Sequence, residues 1–262
     1  GQGGNGVDIP VTGDAPATLV GEGGRGGDGG SVTLRAAAGK LVLQTPSVFA
    51  AGGQGGLASD GSVQAPDGAW GTFAAAASAV DVQGALTIDA VWTNGTVVNM
   101  LDGAFLDGTG VFHNLAPGRL NVYGDAAVAP DGGVHNGVGA VITSHGTNTV
   151  YLDSNAGTVT VAAGAQLHTP WFLVNAGTLQ VDGTMRVGYS GAMGRMAAFA
   201  PGGFTNGANG LLTGNGTFVV DGGAGTLYNQ GTIAPGGVGQ VGTFNITGGL
   251  VMEPGSTLAI DI

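Results

Sequence analysis

The stretch Asn155-Ala-Gly-Thr-Val-Thr-Val161 returns one repeat later as Asn175-Ala-Gly-Thr-Leu-Gln-Val181. Each copy opens on asparagine and glycine, which favour a turn, and continues into a short alternation of polar and aliphatic residues, which is typical of a strand. Asparagines in this context recur along much of the chain, and the longest gap between neighbours runs from Asn175 to Asn206. Their period of about 20 residues predicts a solenoid.

The recurring asparagines form one class of position. They are Asn94, Asn114, Asn136, Asn155, Asn175 and Asn229, with Asn206 as a less complete member. An asparagine at a coil corner tolerates left-handed backbone geometry, and its amide can bond to the asparagines of the coils above and below. The sequence therefore predicts a structural ladder of asparagines.

The strands implied by the pattern are three to five residues long, which suits stacked coils rather than hairpins. Each strand would pair with its equivalent one coil away, at about 4.8 Å. We predict an all-β fold, a right-handed parallel β-helix with three short strands per coil and coils of about 20–31 residues. A single domain spans 1–262, with glycine-rich coils over 1–80, regular coils over 81–187, an insertion at 188–203 and further coils over 204–262.

The N-terminal third has a longer repeat. Gly30-Ser31-Val32 returns as Gly61-Ser62-Val63, which predicts a longer coil there, of about 31 residues. Glycine-rich tracts at 21–30 and 51–56 occupy equivalent places in this repeat. We expect each of them to form a loop at the same corner of successive coils.

Composition excludes several other classes of protein. The chain has 56 glycines in 262 residues and only 9% charged residues, which disfavours helices, while 43% apolar residues disfavour disorder. A net charge of −11 argues against nucleic acid as a partner. The absence of cysteine excludes disulfides and thiolate metal sites, and no apolar run is long enough for a transmembrane helix.

Two stretches resemble bacterial surface exoproteins. Residues 29–36, Gly-Gly-Ser-Val-Thr-Leu-Arg-Ala, followed by Leu-Val-Leu at 41–43 and Ser-Val-Phe-Ala-Ala-Gly-Gly at 47–53, are similar to coils of filamentous-haemagglutinin-type proteins. Residues 231–262 resemble the passenger-associated repeat of autotransporters. The resemblance implies a secreted β-helix on the surface of a Gram-negative-type bacterium. Adhesins, toxins and proteases share such a shaft, so the resemblance alone implies no activity.

The function predicted from these features is an extracellular structural or adhesive shaft that is not an enzyme. We expect self-association, including assembly into filaments, and contacts with host or environmental glycans or proteins. The insertion at 188–203 accounts for the one long spacing and carries apolar residues that are candidates for contacting a partner. These residues are Tyr189, Met193, Met196 and Phe199.

The alternative function is a carbohydrate-active β-helical enzyme, either a hydrolase or a lyase. Sugar hydrolysis requires two carboxylates about 5–9.5 Å apart. The nearest acidic pair in the sequence is Asp102 and Asp107, followed by Asp125 and Asp131. Asp102 and Asp107 each precede glycine, which is also common turn chemistry. Clustering of the four acids would favour the enzyme, and dispersal around turns would favour the shaft.

The sequence predicts no cofactor and no catalytic residue, and it leaves few metal candidates. His113 and His135 occupy equivalent places in successive coils, but no third ligand is visible beside them. Asp28 lies in a glycine-rich tract that approaches a calcium-binding nonapeptide, although the motif occurs once rather than in tandem.

Overall fold

The structure is a computed structural model that describes residues 7–11, 31–36, 39–44, 47–49, 71–170, 174–188, 203–220 and 225–261. All regular elements in these ranges are β-strands, and they form three parallel sheets. From Ser31 onward, the described strands belong to sheets 1, 2 and 3 in turn, and the chain then returns to sheet 1 one coil further along. The predicted β-solenoid with three strands per coil is therefore confirmed.

The three sheets contain eleven, ten and nine of the described strands, and successive strands of a sheet come from successive coils. Sheet 1 contains β1 (Val7–Val11), β2 (Ser31–Ala36), β5 (Thr72–Ala76), β8 (Val91–Asn94), β11 (Val111–Asn114), β14 (Val134–Asn136), β17 (Leu152–Asn155), β20 (Val174–Asn175), β23 (Gly203–Asn206), β26 (Thr226–Asn229) and β29 (Gly249–Met252). Sheet 2 contains β3 (Lys40–Gln44), β6 (Ala79–Gln83), β9 (Val97–Met100), β12 (Arg119–Val122), β15 (Val141–Ser144), β18 (Thr158–Val161), β21 (Thr178–Val181), β24 (Leu211–Gly214), β27 (Thr232–Pro235) and β30 (Thr257–Leu258). Sheet 3 contains β4 (Ser47–Phe49), β7 (Ala85–Asp89), β10 (Phe105–Asp107), β13 (Ala127–Val128), β16 (Thr147–Val150), β19 (Gln166–Thr169), β22 (Thr184–Val187), β25 (Thr217–Val220) and β28 (Asn245–Thr247).

The core is a set of columns in which equivalent side chains of successive coils stack on each other. In strands such as β9 and β18, alternate residues are buried, because neighbouring side chains of a strand point to opposite faces. One aliphatic column follows the register of sheet 2 through ten strands. Its members are Leu41, Val80, Val98, Leu120, Ile142, Val159, Leu179, Leu212, Ile233 and Leu258.

An aromatic column lies beneath sheet 1. The rings of Phe73, Trp92 and Phe112 pack edge to face, with centroids 5.0 and 4.9 Å apart, and all three side chains are at most 1% exposed. Edge-to-face packing places the positive edge of one ring against the negative face of the next. This cluster fixes the register of three successive coils.

The register of the N-terminal third differs from the sequence prediction. Ser31 pairs with Thr72, and the two hydroxyls are hydrogen-bonded at 2.9 Å. The predicted repeat from Ser31 to Ser62 is therefore wrong, and Ser62 lies outside the described residues. Phe73 sets the observed register because it completes the aromatic column, whereas a Gly-Ser-Val triplet contributes no large buried side chain.

The long spacing later in the chain corresponds to an insertion at one corner. Asn175 pairs with Asn206, so the coils remain in register across it. The connection from Val187 at the end of β22 to Gly203 at the start of β23 joins sheet 3 to sheet 1. The connection from Phe49 in β4 to Thr72 in β5 lies at the same corner.

At Gly108, the backbones of two neighbouring coils approach each other closely at this corner. Its φ is 108°, and a Cβ there would overlap the backbone carbonyl of Ile88 in the preceding coil. We expect Gly108→Ala to lower the free energy of unfolding by more than about 1 kcal/mol, because alanine is strained at positive φ and lacks space. Urea unfolding followed by circular dichroism measures this loss.

The matched control is Gly95→Ala, since a Cβ at Gly95 meets nothing within 4 Å and the backbone there is not left-handed. Its stability should stay within about 0.5 kcal/mol of the wild type. Equal losses in the two variants would show that the close approach at Gly108 is not the cause.

Candidate functional site

The recurring asparagines form one continuous hydrogen-bonded column at the end of the sheet 1 strands. Up to the last member, Asn229, each Nδ2 donates to the Oδ1 of the asparagine in the next coil, at 2.8–2.9 Å. The column contains Asn94, Asn114, Asn136, Asn155, Asn175, Asn206 and Asn229. All six asparagines named from the sequence belong to it, and Asn206 is a full member.

Each amide in the column also bonds to the backbone at the corner. The Nδ2 of Asn136 donates to the carbonyl of Thr158 at 3.1 Å, and the Nδ2 of Asn114 donates to that of Val141 at 3.0 Å. The asparagines are at most 3% exposed. Because buried polar groups are costly unless they are paired, this column ties neighbouring coils together at a defined register.

A second polar column lies on the outer face of sheet 2 and was not predicted. Asp81 accepts hydrogen bonds from the Nζ of Lys40 at 2.6 Å and from the Nδ2 of Asn99 at 2.8 Å. Asn121 donates to the Oδ1 of Asn99 at 2.9 Å. The Asp81 side chain is 7% exposed, so the ammonium compensates a carboxylate that is largely removed from water. The repeat spacing from Asp81 to Asn99 and on to Asn121 was the only signal for this column in the sequence.

His113 and His135 lie side by side on the outer face of sheet 1. They are partners in the register of β11 and β14, and their ring centroids are 5.0 Å apart with the planes at 51°. The Nδ1 of His135 lies 2.9 Å from the Oγ of Ser154 and 3.4 Å from the Oδ2 of Asp153. Burial lowers the pKa of His113, and the neighbouring His135 lowers it further.

In the described ranges, at most two histidine or acidic side chains could bind the same metal ion. Those ranges contain no group of three or more histidines or acidic residues that could hold a metal ion. Asp28 lies outside them, as do Tyr189, Met193, Met196 and Phe199 of the insertion.

The acidic residues considered for catalysis are divided between two corners. At the corner between sheets 2 and 3, the backbone N–H of Asp125 donates to the Oδ1 of Asp102 at 3.1 Å, and the N–H of Gly103 donates to the Oδ1 of Asp125 at 2.9 Å. The two carboxylates therefore accept hydrogen bonds from turn amides across one coil, as turn chemistry predicts.

Asp107 and Asp131 belong to the corner between sheets 3 and 1. Asp107 is the last residue of β10, and the backbone N–H of Asp131 donates to the carbonyl of Gly108 at 2.8 Å. The Oδ1 of Asp107 is buried without a hydrogen-bond partner. The structure thus brings Asp102 beside Asp125, while β10 separates Asp102 from Asp107.

The last coil exposes side chains that belong to the core columns. Leu250 pairs with the buried Leu227, and Leu258 pairs with the buried Ile233, yet Leu250 and Leu258 are 43% and 48% exposed. The strands β28, β29 and β30 are the terminal strands of their sheets at this end. The aliphatic columns of the core therefore continue into this coil.

No helix in the described part of the chain has the length and apolarity needed to cross a membrane. In comparisons with known proteins, no family model, no curated protein and no solved structure matches this chain.

Proposed function

We propose that this protein is a non-enzymatic structural or adhesive shaft of an extracellular bacterial surface protein. The observation that carries this proposal is the unbroken asparagine column, which links seven coils through buried hydrogen bonds. Cross-linking of these seven coils favours a stiff rod over that length, because bending would open buried hydrogen bonds. The resemblance to haemagglutinin-type and autotransporter proteins supports the extracellular location.

Adhesion is assigned to the corner between sheets 3 and 1. The connections from Phe49 to Thr72 and from Val187 to Gly203 both lie there, whereas β7 and β8 are joined at this corner by Ala90 alone. Long connections that recur at one corner of a solenoid are often on its binding face. Glycans or proteins are the proposed partners at this edge.

Self-association is assigned to the last coil, with a second copy of the chain as the partner. The exposed Leu250 and Leu258 of one copy would be buried against apolar side chains of the other. In sedimentation experiments we expect a concentration-dependent oligomer for the wild type. Leu250→Glu should shift it to monomer, whereas Val138→Glu, at a 78% exposed site remote from this coil, should not. A wild type that stays monomeric at all concentrations would remove this assignment.

Electron microscopy and labelling of intact cells test the shaft itself. Eleven strands in sheet 1, spaced at about 4.8 Å, predict a rod roughly 50 Å long for this chain. Antibodies against the folded chain should label intact cells of the source bacterium. A compact, equidimensional particle would contradict the rod, and labelling only after cell lysis would contradict the surface location.

The second candidate function, a polysaccharide hydrolase or lyase, has one observation in its favour. The Oδ1 of Asp107 is buried without a partner, as in some catalytic acids. We nevertheless expect no reducing ends and no unsaturated products from uronic-acid or neutral polysaccharides, because Asp102 and Asp125 are engaged by turn amides. Turnover that is lost in Asp107→Asn or Asp102→Asn, but retained in the exposed control Asp153→Asn, would establish the enzyme instead.

A further inference from the structure

We propose that His113 and His135 form a binding site for one divalent transition-metal ion of the class that prefers imidazole, Zn²⁺ or Cu²⁺. The two residues are register partners on adjacent parallel strands, so the solenoid holds their backbones one rung apart. Both side chains lie on the outer face of sheet 1 and are half-buried. Neither histidine is a member of the asparagine column or of the last coil.

The separation of the two rings matches a shared metal ion. An imidazole nitrogen binds Zn²⁺ at about 2.0–2.1 Å, which places the ring centre about 3.1 Å from the metal. Two such rings at a tetrahedral angle have centres about 5.1 Å apart. The observed centroid separation is 5.0 Å, with the planes tilted by 51° rather than stacked.

The surroundings of His135 prepare one of its nitrogens for binding. A carboxylate can only accept a hydrogen bond, so the Asp153 Oδ2 at 3.4 Å favours a proton on Nδ1, and the Ser154 Oγ at 2.9 Å can accept from the same N–H. The lone pair is then on Nε2. Metal-binding histidines commonly donate their other N–H to a carboxylate or similar acceptor, which fixes the tautomer and the ring orientation.

The charge and exposure of the pair also suit a metal ion. Metal ions bind the neutral form of imidazole. The His135 side chain is 33% exposed, so an ion can reach it from solvent. The described residues offer two imidazoles as ligands. Water molecules would complete the coordination shell, and both Zn²⁺ and Cu²⁺ bind water together with imidazole.

Binding of Cu²⁺ and Zn²⁺ alone to the whole chain tests this site. Titration calorimetry at neutral pH in a non-coordinating buffer should show one saturable site, and the electron paramagnetic resonance spectrum of bound Cu²⁺ should show two coordinating nitrogens. His113→Gln and His135→Gln should each weaken binding at least tenfold and reduce the nitrogen count to one. Circular dichroism establishes that the variants are folded.

His145 provides the matched control. It also lies beside an aromatic side chain of the neighbouring coil, but that partner is Tyr123, stacked at 4.8 Å with the planes at 9°. His145→Gln should leave the affinity and the spectrum unchanged. The proposal is overturned if the wild type shows no saturable binding up to about 1 mM metal. It is also overturned if His113→Gln binds like the wild type, or if His145→Gln loses binding equally.

Discussion

Asn155→Leu should lower the free energy of unfolding by about 2–5 kcal/mol, since it interrupts the asparagine column at its centre and each buried unsatisfied group costs energy. Asn155 accepts a hydrogen bond from Asn136 and donates to Asn175, both at 2.8 Å, and it is 2% exposed. Leucine would leave a donor of Asn136 and the carbonyl of Thr178 without their partner, and each such group costs about 1–3 kcal/mol. Urea unfolding followed by circular dichroism measures the change.

The control for this prediction is Asn121→Leu in the outer column of sheet 2. Asn121 donates one hydrogen bond to Asn99 but is only half-buried, so water can replace the lost partner. Its cost should stay below about 1 kcal/mol. If the two variants lose the same stability, the buried column has no special role and the stiffness argument for the shaft fails.

Trp92→Ala should destabilise the protein by about 3–5 kcal/mol, the usual cost of deleting a large buried aromatic side chain. Trp92 is 1% exposed and packs edge to face against Phe73 on one side and Phe112 on the other. Alanine removes the burial of the indole and leaves a cavity between two coils that the stacked strands cannot close. Because coils interact mainly with their neighbours, hydrogen exchange should accelerate most in β5, β8 and β11.

The matched control is Phe105→Ala in β10, whose side chain is 40% exposed. It removes an aromatic ring from the outer face of sheet 3 and should cost less than about 1 kcal/mol. Hydrogen exchange that accelerates uniformly along the solenoid in Trp92→Ala, rather than around the cavity, would contradict the nearest-neighbour interpretation.

The variants Asn155→Leu and Trp92→Ala test separately the two interactions that hold the coils in register. The aromatic column acts through burial of apolar surface and edge-to-face ring contacts, which are strong but less directional than hydrogen bonds. The asparagine column acts through directional hydrogen bonds, which tolerate no shift in register. A shaft that binds partners along one corner requires directional hydrogen bonds, because its coils must keep that corner aligned.

The recurring asparagines, each followed by glycine directly or within a few residues, were sufficient to predict the solenoid and its ladder. The short period and the short alternating strands leave stacked coils as the way to bury the aliphatic residues. The asparagines occur once per coil at one type of corner, so a regular stack necessarily brings them into one column. Local sequence alone could therefore identify Asn94 through Asn229 as members.

Tertiary structure decided the features that depend on register between distant segments. The long N-terminal coil from Ser31 to Thr72 follows from the place of Phe73 in the aromatic column, which the Gly-Ser-Val repeat concealed. Asp102 meets Asp125, and His135 meets Asp153, because those residues share a corner or a face in neighbouring coils. When coil length varies, the spacing of residues along the chain does not predict which of them meet. The register is set instead by the buried side chains that continue each core column.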